Sequence, residues 1–299
     1  MFTMRLHGNV LTSSDLRLMR FICWRIYWMT NDLNELEVNE IKNHAIEKLG
    51  LCRKGNDIIG TQIFSILGLY ARVIYYPLGK NAPWGFTRIS GSRNDASLEK
   101  PFVALNSSIP VDCQVFAAAH ELYHIWYEQN PDMLPSDLLN EHDKKTSEKK
   151  ANRFAAEFLV DELLLKQEIE LYKIKKLTIK SILQLAELFT VPYRTMVKRL
   201  GEIGVIEDAD LNRFLAESED SVEKYKKRYS IPSQKSDGRI IMDNLVELAV
   251  AAYEAGYITY EKLEYLLRIS TLKPEDLGIE KKTACEFPSD DELDRIMEE

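Results

Sequence analysis

The sequence predicts an α+β protein in which helix dominates. A small three-stranded sheet lies early in a mostly helical domain, and an all-helical C-terminal region follows. Three observations predict this. Short segments rich in β-branched and aromatic residues are confined to 71–106, where Gly, Asn, Pro and Ser clusters separate RVIYYPL, WGFTRIS and FVALNS. On both sides of that stretch apolar residues recur at helical spacing. The chain has 299 residues, enough for one large domain or two modest ones.

Residues 1–29 read as an N-terminal extension. Arg17, Arg20 and Arg25 interrupt its apolar stretch LMRFICWRIYW, which spoils it as a signal-peptide core. An amphipathic surface helix against a membrane or partner is one reading; a peripheral helix, or an extension ahead of a start at Met29, is the plainer one. A helix begins near Leu33, with Leu36, Val38, Ile41, Ala45, Ile46 and Leu49 on one face and Gly50 as its stop. A second is expected over Asp57–Leu67, capped by Asp57. After the strands, helices are expected at Pro110–Gln129, Thr146–Tyr172, Thr178–Phe189, Tyr193–Ile203, Ala209–Tyr229, Ile240–Ala255 and Tyr260–Arg268. The polar run SIPSQKSD, Ser230–Asp237, is the best linker candidate, and residues 280–299 form an acidic tail.

Composition narrows the function. Lys plus Arg total 39 against 47 acidic residues, a net charge of −8, whereas a protein that wraps nucleic acid needs a basic face. The four cysteines lie far apart without a CxxC pair, so they read as reduced thiols of a cytoplasmic protein. The longest uncharged run, Ile58–Ala71, falls short of the roughly 20 apolar residues of a membrane span.

The chemistry concentrates in His120-Glu121-Leu122-Tyr123-His124, an HExxH pattern in the helix after the last strand. Residues four apart share a helix face, so both imidazoles can reach one ion. Glu121 projects about 100° away and can reach a metal-bound water instead of the metal. Apolar FAAA precedes His120 and LYHIW surrounds His124, so these polar groups sit in an otherwise buried helix. Leaving them unpaired there would cost several kcal/mol, which a metal would offset.

A zinc site of this kind needs a third protein ligand. In the following helix Ala151, Ala155 and Leu159 make a ridge of mostly small residues that permits close helix approach, with Glu148 and Asn152 beside it. Glu157, nine positions from Glu148, is half a turn out of phase and points away. Glu148 is therefore the expected third ligand. His142 and Asp143, in the preceding segment, compete with it.

HExxH followed by E-x-x-A-N-x-F-A-A-x-x-L at Glu148–Leu159 resembles the ImmA/IrrE family of zincin-like, gluzincin-like metallopeptidases. The resemblance spans about residues 35–205, including the strand Phe102–Asn106 and the later LAELFTVPYRTMVKRLGEIGVI, similar to the family's helix-turn-helix-like element, here 178–203. It implies a metallopeptidase domain over about residues 30–205 holding one zinc ion per chain on His120, His124 and Glu148, with Glu121 as general base. It also implies a protein substrate, a helix-turn-helix repressor or antitoxin encoded nearby, in stress or mobile-element regulation. Two positions depart from the family pattern: Tyr123 replaces a usual glycine, and Asp161 stands where a proline commonly ends the helix. The second departure implies that the helix continues or restarts there.

The strand Val103–Asn106 is expected to be an edge on which an extended peptide could align by β-augmentation. Tyr123, Tyr127 and Tyr193 are candidates to stabilise an oxyanion, with packing as the alternative for each. Arg194, Lys198 and Arg199 on the second helix of the helix-turn-helix-like pair could meet phosphates. A metal-containing regulator that binds DNA or a protein, with little proteolysis, is thus the alternative function; a helical hairpin that packs on the domain is the plainer reading. The basic cluster Lys224, Lys226, Lys227 and Arg228 fits a solvated helix face. Residues 206–279 form a helical region for partner docking, with a turn at Gly256 and a cap at Thr259. In it Tyr253, Tyr257, Tyr260 and Tyr265 read as core.

Overall fold

The computed structural model describes residues 5–6, 9–10, 33–88, 100–128, 141–242 and 244–281. The readings for the rest of residues 1–32 and for the tail beyond Lys281 lie outside the described residues. The chain divides into two compact units, Met1–Arg239 and Ile240–Glu299.

In the first unit, α1 (Glu35–Leu51) starts at a capping box in which Asn34 and Glu37 exchange side-chain-to-backbone bonds. It buries Ile41, Ala45 and Leu49 as the periodicity predicts. It runs past Gly50, and the left-handed residue that follows it is Arg53, at φ 57°. The next helix begins later than expected. A 3-10 turn at Gly60–Gln62 leads into α2 (Ile63–Tyr70), and Asp57 pairs with Lys54 at 2.7 Å instead of capping a helix.

Three strands then form: β1 (Arg72–Tyr76), β2 (Gly85–Arg88) and β3 (Phe102–Asn106). β3 lies between the other two, parallel to β1 from Arg72↔Phe102 to Tyr76↔Asn106 and antiparallel to β2 from Gly85↔Leu105 to Arg88↔Phe102. The expectation that Val103–Asn106 forms an edge is therefore corrected, and the edge is β2. The reason is legible in β3's burial: Val103, Ala104, Leu105 and Asn106 are all buried, as a strand covered on both sides requires. Three two-residue strands exceed the expected count of three: Arg5–Leu6 paired antiparallel with Asn9–Val10, and Ile241–Met242 in the second unit; two residues are too few to show alternation in a sequence.

The helices α3 (Val111–Tyr127) and α4 (Glu141–Leu159) pack against each other through the expected small-residue ridge, Ala151, Ala155 and Leu159 being buried. Phe154 and Phe158 of α4 pack edge-on to Trp126 of α3. The long helix expected over Thr146–Tyr172 is two. α4 stops at Leu159, and Asp161 caps α5 (Glu162–Leu171) by accepting from Leu164 N at 3.0 Å, so the helix restarts. Likewise α8 (Asp208–Leu215) and α9 (Glu219–Arg228) replace one helix, because Ser218 caps the second.

Between these pairs lie α6 (Ile179–Phe189) and α7 (Tyr193–Glu202), joined through Thr190 in the left-handed region. The run Ser230–Asp237 has no regular structure, yet it is fastened down. Ser233 donates to Glu223, Gln234 to Glu187, and Gly238 N to Ser107 O at 3.0 Å.

The second unit holds α10 (Leu245–Glu254) and α11 (Tyr260–Ile269). Gly256 turns the chain at φ 77°, and Thr259 caps α11, both as expected. Its core is Ala249, Tyr253, Leu263 and Leu267. Of the four tyrosines expected in that core, Tyr253 is buried, whereas Tyr257 and Tyr265 are 84% and 51% exposed.

Candidate metal centre

α3 passes beneath the sheet and presents His120, Glu121 and His124 toward β2 and α4. His120 and His124 lie one turn apart, and their Nε2 atoms face each other at 3.0 Å. From α4, Glu148 brings Oε2 to 3.3 Å from His120 Nε2 and Oε1 to 3.9 Å from His124 Nε2. Among the described residues, these are the three that could hold a metal, with ligand atoms all within 4.8 Å of one another. Tetrahedral bonds of about 2.05 Å place ligands about 3.3 Å apart, so the set fits a zinc-sized ion. His142 and Asp143 lie within α4, but their side chains are outside the described residues.

The far sides of both imidazoles are held as well. His120 Nδ1 lies 2.9 Å from Asn152 Oδ1, and His124 Nδ1 lies 2.6 Å from Glu128 Oε2. These acceptors hold a proton on Nδ1, so that Nε2 is the nitrogen whose lone pair would ligate an ion once its own proton is displaced. Burial opposes a charge on His124, but the Glu128 hydrogen bond and the negative charges of Glu121, Glu128 and Glu148 raise its pKa to about 9. Burial also opposes ionisation of Glu128, which the His124 and Ser147 bonds nevertheless hold below the ordinary carboxylate range. The centre is therefore electrostatically built for a cation.

Glu121 is buried, and its carboxylate lies near the ligand atoms without being one of them. Thr87 of β2 donates to its Oε2 at 2.7 Å, and Gly85 of the same strand leaves it room. A Cβ at Gly85 would lie 3.0 Å from Glu121 Oε1 and 3.2 Å from Leu105. A carboxylate beside, but not in, the ligand set is the arrangement a general base needs.

The three candidate tyrosines have structural employment. Tyr123 packs on Tyr127 and Phe154, Tyr127 donates to His44 O, and Tyr193 donates to Phe214 O. The helix-turn-helix-like pair is also turned inward: Tyr193, Thr195, Met196 and Val197 at the start of α7 are buried. Arg199 is only 1% exposed and bonds Glu157, Glu202 and Val160 O, so it cannot meet a phosphate. Glu157 does point away from the metal ligands, as its phase predicts, and pairs with Arg153 and Arg199.

The sequence pointed to His120, His124, Glu148 and Glu121, which the fold brings together, but not to their neighbours Thr87, Gly85, Glu128 and Ser147, nor to the contact of Asn152 with His120. Asn152 was noted beside the ridge without a role. Glu128 carries the one local signal, lying four residues after His124 on the same helix face.

Residues 71–201 match the family model Peptidase_M78, described as the IrrE N-terminal-like domain. No curated protein matches the chain. Among solved structures, a Mycobacterium tuberculosis transcriptional regulator is similar at 16% identity with a TM-score of 0.37, over 57% of this chain and 48% of that one. The chain thus spans about half the length of that regulator. No described helix is long and apolar enough to cross a membrane. With the match falling on the strands, the HExxH helix and the helix that carries Glu148, residues 71–201 are a domain of the ImmA/IrrE metallopeptidase family.

Proposed function

We propose that the chain is a cytoplasmic zinc-dependent endopeptidase that hydrolyses a peptide bond in a regulatory protein, a helix-turn-helix repressor or antitoxin. The observation that carries this reading is the placement of Glu121 next to, but outside, the His120–His124–Glu148 ligand set. When bound, zinc would polarise the scissile carbonyl and make a water more acidic. Glu121 takes the water's proton and delivers it to the leaving amine. His120, His124 and Glu148 hold the ion, and Thr87 keeps the Glu121 carboxylate aimed. Among the described residues β2, the strand that carries Gly85 and Thr87, is an edge of the sheet, where an extended substrate would pair.

The alternative, a DNA-binding regulator, loses support from the burial of Arg199 and of the first turn of α7. For the residue division, a catalytic region over about 30–205 and a partner-docking role for 206–279 remain parts of this proposal.

The test pairs metal analysis with cleavage. Purified protein should contain about one zinc per chain, lost in H120A and E148A. E121Q should keep its zinc and fail to cleave helix-turn-helix repressors from the same genome that wild type cleaves. Cleavage at the wild-type rate by zinc-loaded E121Q would remove Glu121 from the mechanism.

A further inference from the structure

We propose that Glu128 positions His124 for the metal and that Ser147 holds Glu128 in place; the assignment rests on the metal-centre reading above. The two nitrogens of His124 face opposite ways. Nε2 looks toward His120 Nε2 at 3.0 Å and Glu148 Oε1 at 3.9 Å, whereas Nδ1 looks toward Glu128 Oε2 at 2.6 Å. Glu128 is therefore on the wrong side of the ring to ligate the same ion, and its carboxylate acts through the imidazole. Its second oxygen accepts from Ser147 Oγ at 2.5 Å.

This arrangement does three things. It fixes the Nδ1–H tautomer, so that the Nε2 lone pair is presented to the ion. It stops the ring from swinging about its side-chain bonds. It also sets an anionic carboxylate behind His124, whereas His120 Nδ1 faces the uncharged amide oxygen of Asn152 at 2.9 Å. The two histidines of the motif are thus unequal ligands.

Ser147 adds a link through the backbone. It precedes Glu148 on α4, so adjacent residues supply a direct ligand and the clamp on the other ligand's support. Glu128 caps the C-terminal end of α3, and Ser147 pins the carboxylate oxygen that His124 does not use. Movement of α4 against α3 would therefore disturb Glu148 and His124 together.

The experiment uses the full chain, stripped of metal and titrated with Zn2+ against a chromophoric chelator. The visible spectrum of the Co2+-loaded protein is recorded beside it. E128Q, which keeps the shape and removes the charge, should bind Zn2+ about 10- to 100-fold more weakly. Its Co2+ absorption should shift, while the metal-free protein unfolds near the wild-type temperature. S147A, with Glu128 intact, should move affinity in the same direction by less, and it carries the test if E128Q does not fold. Wild-type Zn2+ affinity in the folded variants would overturn the positioning role while leaving the metal centre standing. Absence of Zn2+ binding in wild type would overturn both.

Discussion

Gly85→Ala isolates the geometry of the base from the fold and from the metal. Gly85 takes no left-handed backbone angle, so alanine fits the strand, and the glycine is there for room. The added Cβ would meet Glu121 Oε1 at 3.0 Å, Leu105 Cδ2 at 3.2 Å and Glu121 Cγ at 3.3 Å. Restoring ordinary contact requires the Glu121 carboxylate to retreat by about 0.4 Å, straining its 2.7 Å bond to Thr87. Overpacking costs about 1–3 kcal/mol, and replacing a strand glycine by alanine returns about 0.5–1 kcal/mol. The net loss of stability is then between about 0 and 2.5 kcal/mol, a few degrees in Tm for a unit of this size. Catalysis is less tolerant: a misplacement of about 1 Å can cost 100-fold, so a cut of about 10- to 100-fold in kcat/KM is expected. The assay measures repressor cleavage, zinc content and thermal unfolding on one preparation. Zinc should stay at the wild-type level because no ligand is touched. Wild-type kcat/KM, or loss of zinc in a folded variant, would refute the reasoning.

Arg199→Ala should destabilise the protein by about 3–5 kcal/mol, the cost of breaking a buried ion pair. It strips a buried donor from Glu157, Glu202 and Val160 O, although Arg153 still reaches both carboxylates; a Tm within about 2 °C of wild type would contradict this. Glu162 on α5 is bonded by Lys166 and by Lys42 of α1, which lower its pKa to about 2. A carboxylate depressed in the folded state stabilises above its unfolded pKa and loses that contribution as pH falls through its folded value. Glu162→Gln should therefore cost roughly 0.2–1 kcal/mol at pH 7, and in chemical denaturation the difference should fade between about pH 4.5 and pH 2. A difference that persists at pH 2 would sink the assignment.

The His120–His124–Glu148 grouping was legible because its members lie on two helices whose phase is fixed by local spacing. His120 and His124 are four apart, and the Ala151–Ala155 ridge orients Glu148 toward them. Thr87 and Gly85 were not legible, since their meeting with Glu121 depends on which strand pairs beside β3, more than thirty residues upstream. The central place of β3 was hidden for the same reason: a buried strand and an edge can share an apolar run. Arg199 shows the opposite failure. In sequence it joins Arg194 and Lys198 in a basic group, yet its guanidinium is neutralised by Glu157 and Glu202, and Glu157 lies on a different helix. The breaks before α5 and α9 had local signals in the caps Asp161 and Ser218, outweighed in the reading by continuous periodicity.

α4 is anchored along its length by two different chemistries. Toward its start, Ser147, Glu148 and Asn152 reach α3 through Glu128 and the two histidines. Toward its end, Arg153 and Glu157 lock onto Arg199 and Glu202 of α7. Interleaved with these, the small-residue ridge and the Phe154–Phe158 stack pack α4 through apolar contacts. Ligand atoms must be held to about 0.5 Å to present a usable site. Here neither the apolar contacts nor the α7 ion pairs require a metal. His120, His124 and Glu148 therefore face one another on the strength of the packing and ion pairs that fix α4 against α3 and α7.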